Sequence, residues 1–133
     1  MAEDEFNLKI KNSCARTKEQ CLNCHKQFIT VRPLLTGVIL TKRFFKDFKG
    51  KANAEATASD ILDCSNVDYS EMHKFEKNVD GALIFRDKKE GVHIVYAVDR
   101  QRRLVFLRAF RNYSEYEKFL EDKGEIRKML SHL

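Results

Sequence analysis

The sequence holds one proline and five glycines in 133 residues, and it contains no internal repeat or low-complexity tract. Collagen-like, proline-rich and linker-dominated chains are thereby excluded. No apolar run approaches the ~18 residues of a membrane span, and the opening Met1-Ala-Glu-Asp-Glu5 is acidic where a secretion signal is basic. These absences predict a cytoplasmic protein with no membrane partner. With 43% hydrophobic and 34% charged residues, the balance is that of a folding chain rather than a disordered one. Its length suits a single core.

Net charge is +5, modest for a nucleic-acid binder, and its distribution is more informative than its sum. Residues 37–51 carry net +4 and residues 86–111 net +5, separated by residues 52–85 at net −5. Two basic blocks make a one-sided positive surface if the fold brings them together, and two solvated faces if it does not.

Val38-Ile-Leu-Thr41 reads as a short buried strand, followed by an amphipathic helix over residues 42–49 with Phe44, Phe45 and Phe48 on its apolar side. Gly50 is expected to end that helix in the left-handed conformation, and Asn53 to cap a second helix over residues 54–64. Asp68 and Glu71 resemble a capping box for a third, running to about Lys77. From Gly81 the period becomes that of strands: residues 82–86, 92–98 and 104–110, joined by polar turns at 87–91 and 99–103. The middle strand is apolar on both faces except for His93, so it should be central, with helices packed on the sheet. Ser114 with Glu117 suggests the cap of a helix ended by Gly124. Ile126, Met129, Leu130 and Leu133 extend an apolar stripe expected to dock on the chain's own sheet. The predicted fold is α+β: a strand, two to three helices, a three-strand antiparallel meander and a C-terminal helix over residues 37–133, preceded by an extension over residues 1–36.

The pieces Val38-Ile-Leu-Thr-Lys-Arg-Phe-Phe-Lys-Asp-Phe-Lys49, Gly81-Ala-Leu-Ile-Phe-Arg86, Val92-His-Ile-Val-Tyr-Ala-Val-Asp99 and Leu104-Val-Phe-Leu-Arg-Ala-Phe-Arg-Asn-Tyr-Ser-Glu-Tyr-Glu117 carry a family likeness. Residues 37–120 resemble the RelE/ParE superfamily of small toxins, including its HigB and YoeB branches. The resemblance implies a ribosome-associated endoribonuclease without a catalytic cofactor. It would let the ribose 2′-hydroxyl attack the adjacent phosphate, with an acidic antitoxin protein as partner. Such chemistry needs a base, an acid and fixed cations to neutralise charge on phosphorus, a task that suits the bidentate, permanently charged guanidinium.

By that resemblance Arg111 and Arg86 match basic residues at strand ends, and Tyr113 and Tyr116 fall where the family places a terminal Tyr or His. His93 stands where many members have Arg, so it gains a proton carrier and loses a phosphate clamp. Each has a plainer reading: His93 as a satisfied imidazole on a sheet face, Tyr116 as core beside Phe119 and Leu120. Lys42, Lys49, Lys51, Lys88 and Lys89 would supply sequence-independent RNA affinity or stay solvated. The nuclease reading requires that Arg86 and Arg111 share one concave wall able to hold a bent phosphodiester; if the two lie on opposite sides of the molecule, that nuclease reading falls.

The extension contains Cys14, Cys21, Cys24 and His25, three of the four cysteines in the chain. Cys21-Leu-Asn-Cys24 has the spacing of one zinc knuckle, Cys14 would be a third ligand, and His25, Cys64 or His73 a fourth; free thiols are the alternative. The five residues 21–25 also match a c-type haem attachment pattern, which the cytoplasmic expectation disfavours. Two other functions therefore stay open: a noncatalytic module that grips RNA, ribosome or protein, including a topoisomerase inhibitor, and a zinc-dependent nucleic-acid reader.

Overall fold

The computed structural model describes residues 26–31, 34–63 and 73–133. Its elements are α1 (Lys26–Val31), β1 (Gly37–Leu40), α2 (Lys42–Asp47), α3 (Lys51–Asp63), β2 (Lys74–Val79), β3 (Ala82–Lys89), β4 (Val92–Val98), β5 (Arg103–Phe110), α4 (Tyr113–Glu121) and α5 (Lys123–Ser131). The strands form a five-stranded sheet ordered β1-β5-β4-β3-β2. β1 runs parallel to β5, and every other neighbour pair is antiparallel. The sheet is therefore mixed, not purely antiparallel.

β4 is central, and all seven of its residues are buried, because the sheet is covered on both faces. On one face Val92, Ile94, Tyr96 and Val98 meet Phe28 of α1, Phe44 of α2 and Ala58 and Ile61 of α3. On the other, Val95 and Ala97 meet Tyr116, Phe119 and Leu120 of α4 and Ile126 of α5, with Met129, Leu130 and Leu133 packed alongside. The C-terminal stripe thus docks at home. No helix of the described residues is long and apolar enough to cross a membrane.

Several boundaries differ from the sequence reading, each for a local reason. Residues 74–77 are strand, not helix: Asp80 and Gly81 both have positive φ (51° and 92°), the two-residue hairpin turn that matches strand twist, and it folds β2 back onto β3. Asp68, Glu71 and Met72 lie outside the described residues. A similar turn at Glu90 and Gly91 lets β3 run on to Lys89 instead of ending at Arg86. The left-handed residue after α2 is Lys49 (φ 56°), not Gly50. α3 begins at Lys51, so Asn53 is inside the helix and does not cap it. The cap of α4 is Asn112, whose side chain accepts from the Glu115 amide at 3.1 Å, and not Ser114. The break between α4 and α5 is Asp122, whose carboxylate accepts from the Glu125 amide at 3.0 Å, leaving Gly124 in the first turn of α5.

Within the segment read as an extension, Phe28 is 1% exposed, its ring stacked on His73 at 3.8 Å and edge-on to Phe85 and Tyr96. α1 is therefore packed into the core of the sheet domain. Cys14, Cys21, Cys24, His25 and Cys64 lie outside the described residues.

Candidate functional site

β2 is an edge strand, and its pairing with β3 slips between Phe75 and Lys77, so Glu76 is the extra residue of a bulge. Bulges re-aim side chains. Here Glu76 and Lys77 both turn toward α4: Lys77 donates from Nζ to the Leu120 carbonyl, and the Glu76 carboxylate accepts from Tyr116 Oη at 3.0 Å and from Arg86 Nε at 3.2 Å. Arg86 lies opposite Val95 in the ladder, and His93 opposite Phe110, which sets both on the face covered by α4.

Arg86 Nη1 lies 3.2 Å from His93 Nδ1. A guanidinium can only donate, so in this hydrogen bond Nδ1 accepts through its lone pair. The His93 ring stacks on Tyr116 at 4.8 Å and meets Tyr113 edge-on at 5.5 Å, while the Arg86 guanidinium lies over Tyr116 at 5.2 Å. Burial first, then the charge of Glu76, holds the Tyr116 phenol far above its ordinary pKa, so it remains a hydrogen-bond donor at neutral pH. Tyr113, by contrast, is 56% exposed at the mouth. Lys74, Glu76, Lys77, Arg86, Tyr113 and Tyr116 line a cleft of about 250 Å³, with Glu117 and Glu121 at its rim.

Four of the five residues expected to do chemistry are thus together: Arg86, His93, Tyr113 and Tyr116. Arg111 is not with them. It lines a pocket on the opposite face, beside Phe48, Asn53, Thr57, Val92 and Ile94. The shared two-arginine wall is not formed, because Phe110 points to the α4 face and strand alternation sends the next side chain to the other.

The expected RNA-binding lysines are divided in the same way. Lys42, Lys49 and Lys51 are exposed on the α2–α3 side, Lys51 over the Phe45 ring at 5.6 Å. Lys89 is bonded to Asp60 at 2.6 Å, and Lys88 is paired in register with His93. Of the candidate metal ligands, His73 alone is described. It is buried, and its Nδ1 lies 2.5 Å from Tyr96 Oη, which in turn donates to Asp87. Among the described residues no cluster of three or more metal-ligating side chains occurs.

Glu76 was missed by sequence reasoning because it was assigned to a helix. The signal was available: Asp80-Gly81 ahead of an apolar run is a strong hairpin marker, and a hairpin requires a partner strand before it. Compared with protein-family models, with curated proteins and with solved structures, the chain matches none.

Proposed function

We propose that the chain cleaves RNA by intramolecular attack of a ribose 2′-hydroxyl on the neighbouring phosphate, at the cleft between β2, β3 and α4. The observation that carries this reading is the Glu76–Arg86 pair at 3.2 Å, a proton acceptor beside a fixed positive charge at the wall of an open cleft. Glu76 takes the 2′ proton as the 2′-oxygen to phosphorus bond forms. Arg86 neutralises the charge that develops on the phosphoryl oxygens. The bond from phosphorus to the 5′ oxygen breaks, and Tyr113 gives that oxygen its proton, leaving a 2′,3′-cyclic phosphate and a 5′-hydroxyl. His93 and Tyr116 hold Arg86 and Glu76 in place. With Arg86 and Arg111 on opposite faces, the two-arginine nuclease read from the sequence is ruled out, and the chemistry proposed here is a different one that rests on Glu76 and a single guanidinium.

The test is cleavage of a single-stranded RNA by the purified chain in the presence of a chelator, with the cyclic phosphate read by mass spectrometry. Glu76→Gln should lower kcat by about 100-fold or more, the usual size of a general-base contribution. Tyr113→Phe, at an exposed position that costs no packing, should slow the reaction without altering thermal stability. Absence of any cyclic product from the wild-type chain would refute the proposal. A second reading, a noncatalytic binding module on the same surface, is favoured by the charge balance of the cleft, where Glu76, Glu117 and Glu121 offset Lys74, Lys77 and Arg86. RNA bound but never cut would select it.

A further inference from the structure

The pocket that receives Arg111 sits at the same end of the sheet as the cleft, on the other face. Its volume is about 230 Å³, and Phe48, Asn53, Thr57, Lys89, Glu90 and Arg111 are among the residues that line it. The chain crosses from one cavity to the other within very few positions. On β4, Val92 belongs to the pocket and His93 to the cluster; after β5, Arg111 belongs to the pocket and Tyr113 to the cleft. Only the ends of β4 and β5 separate the two.

The pocket has the components for one nucleotide. Phe48 offers a half-buried ring edge or face for a base, and the exposed Asn53 amide offers both a donor and an acceptor. Lys89 is committed to Asp60 at 2.6 Å, so Arg111, exposed and in no ion pair among the described residues, is the cation left to meet a phosphate. Glu90 stands on the turn at the rim and opposes multiply charged ligands more than a single diester. At 230 Å³ the space is below that of a drug-sized ligand site and suits one base.

The geometry points to a second RNA subsite here: a single-stranded substrate bends over the ends of β4 and β5, with the scissile phosphate in the Glu76–Arg86 cleft and a flanking nucleotide in the Arg111 pocket. This deepens the proposed function and rests on it. Arg111 then sets substrate length and affinity, and takes no part in bond making or breaking.

The experiment uses 2′-O-methyl RNA analogues, which cannot undergo the attack, so binding is read whether or not the chain is a nuclease. A dinucleotide analogue should shift the backbone amide resonance of Glu117 alone, whereas a hexanucleotide should also shift those of Asn53 and Ala56. Arg111→Ala should abolish the second set, weaken the hexanucleotide about tenfold and reduce its salt slope by about one. Unshifted Asn53 and Ala56 resonances with the hexanucleotide, or equal weakening of both lengths by Arg111→Ala, would overturn the subsite. Failure of cleavage with these shifts intact removes only the nuclease chemistry. Failure to bind either analogue removes both.

Discussion

Tyr96 occupies the middle of the sheet with its hydroxyl between two buried polar groups: it receives a hydrogen bond from His73 Nδ1 at 2.5 Å and donates to Asp87. The Asp87 carboxylate also accepts from the His73 amide at 2.9 Å, while its second oxygen has no hydrogen-bond partner among the described residues. Tyr96→Phe keeps the ring and removes the bridge, so it should cost about 1–3 kcal/mol, the penalty for leaving buried partners unmet. Urea unfolding of the two proteins measures this; a loss below a few tenths would mean the network contributes little. At this scale the sequence was legible in part. Arg86, His93 and Tyr116 could be singled out through the family likeness, even though β3 runs past Arg86 to Lys89 and α4 is capped by Asn112 instead of Ser114. Glu76 could not, because a bulge depends on pairing between two strands, and one of those strands was hidden in a stretch whose charge and capping pattern resembles a helix.

α1 presents Phe28 to the core, and Phe28→Ala should cost about 3–5 kcal/mol, as other buried aromatic deletions do. Thermal unfolding of the full chain provides the measurement, and an unchanged midpoint would show α1 to be dispensable. β1 stops at Leu40, and side chains continue where its ladder ends. The Thr41 hydroxyl donates toward the Phe106 and Leu107 carbonyls, both at 3.0 Å. Asp47 accepts the Ala109 amide at 2.8 Å and pairs with Arg108 at 2.8 and 3.2 Å. Asp47→Ala should therefore cost about 1–3 kcal/mol and expose the end of β5, which faster amide exchange at Ala109 would report. Hydrophobic period revealed β1, β3, β4, β5 and the apolar faces of α4 and α5, because each has one clear role in burial. β2 escaped, being an edge strand with its burial interrupted by lysines and a glutamate. Helix caps shifted by two residues where Asn112 and Asp122 competed with Ser114 and Gly124 and had better geometry.

Across the whole molecule, the two basic blocks do not form one positive wall. Residues 42–51 lie with Arg111 on the α2–α3 side, and Arg86 lies among carboxylates on the other. Strand alternation decides this, and the face taken by Arg111 was not evident until the register of β5 past its bulge was known. Far from both cavities, the hydrogen bond and charge of Arg127 hold the Asp80 carboxyl below its usual 3.8. A group with a depressed folded pKa contributes stability that is complete above its unfolded value and is lost as pH falls through the folded one. Asp80→Asn should thus match the wild type's stability in strong acid and unfold more readily than it near neutral pH, as urea titrations at the two pH values would read. The difference should shrink in high salt, since both side chains are more than half exposed.

The parallel ladder of β1 and β5 joins residues some 65 positions apart, as the Thr36 and Thr41 bonds to Gln101 and Phe106 show. Everything from β2 to β5 can zip through adjacent turns, but β1 gains its neighbour β5 last, after a large entropic closure. A nascent chain still lacking residues past 102 would have no edge on which to seat its first strand. The helix that follows that strand, α2, packs on β5 and should then remain open to proteolysis until β5 has formed.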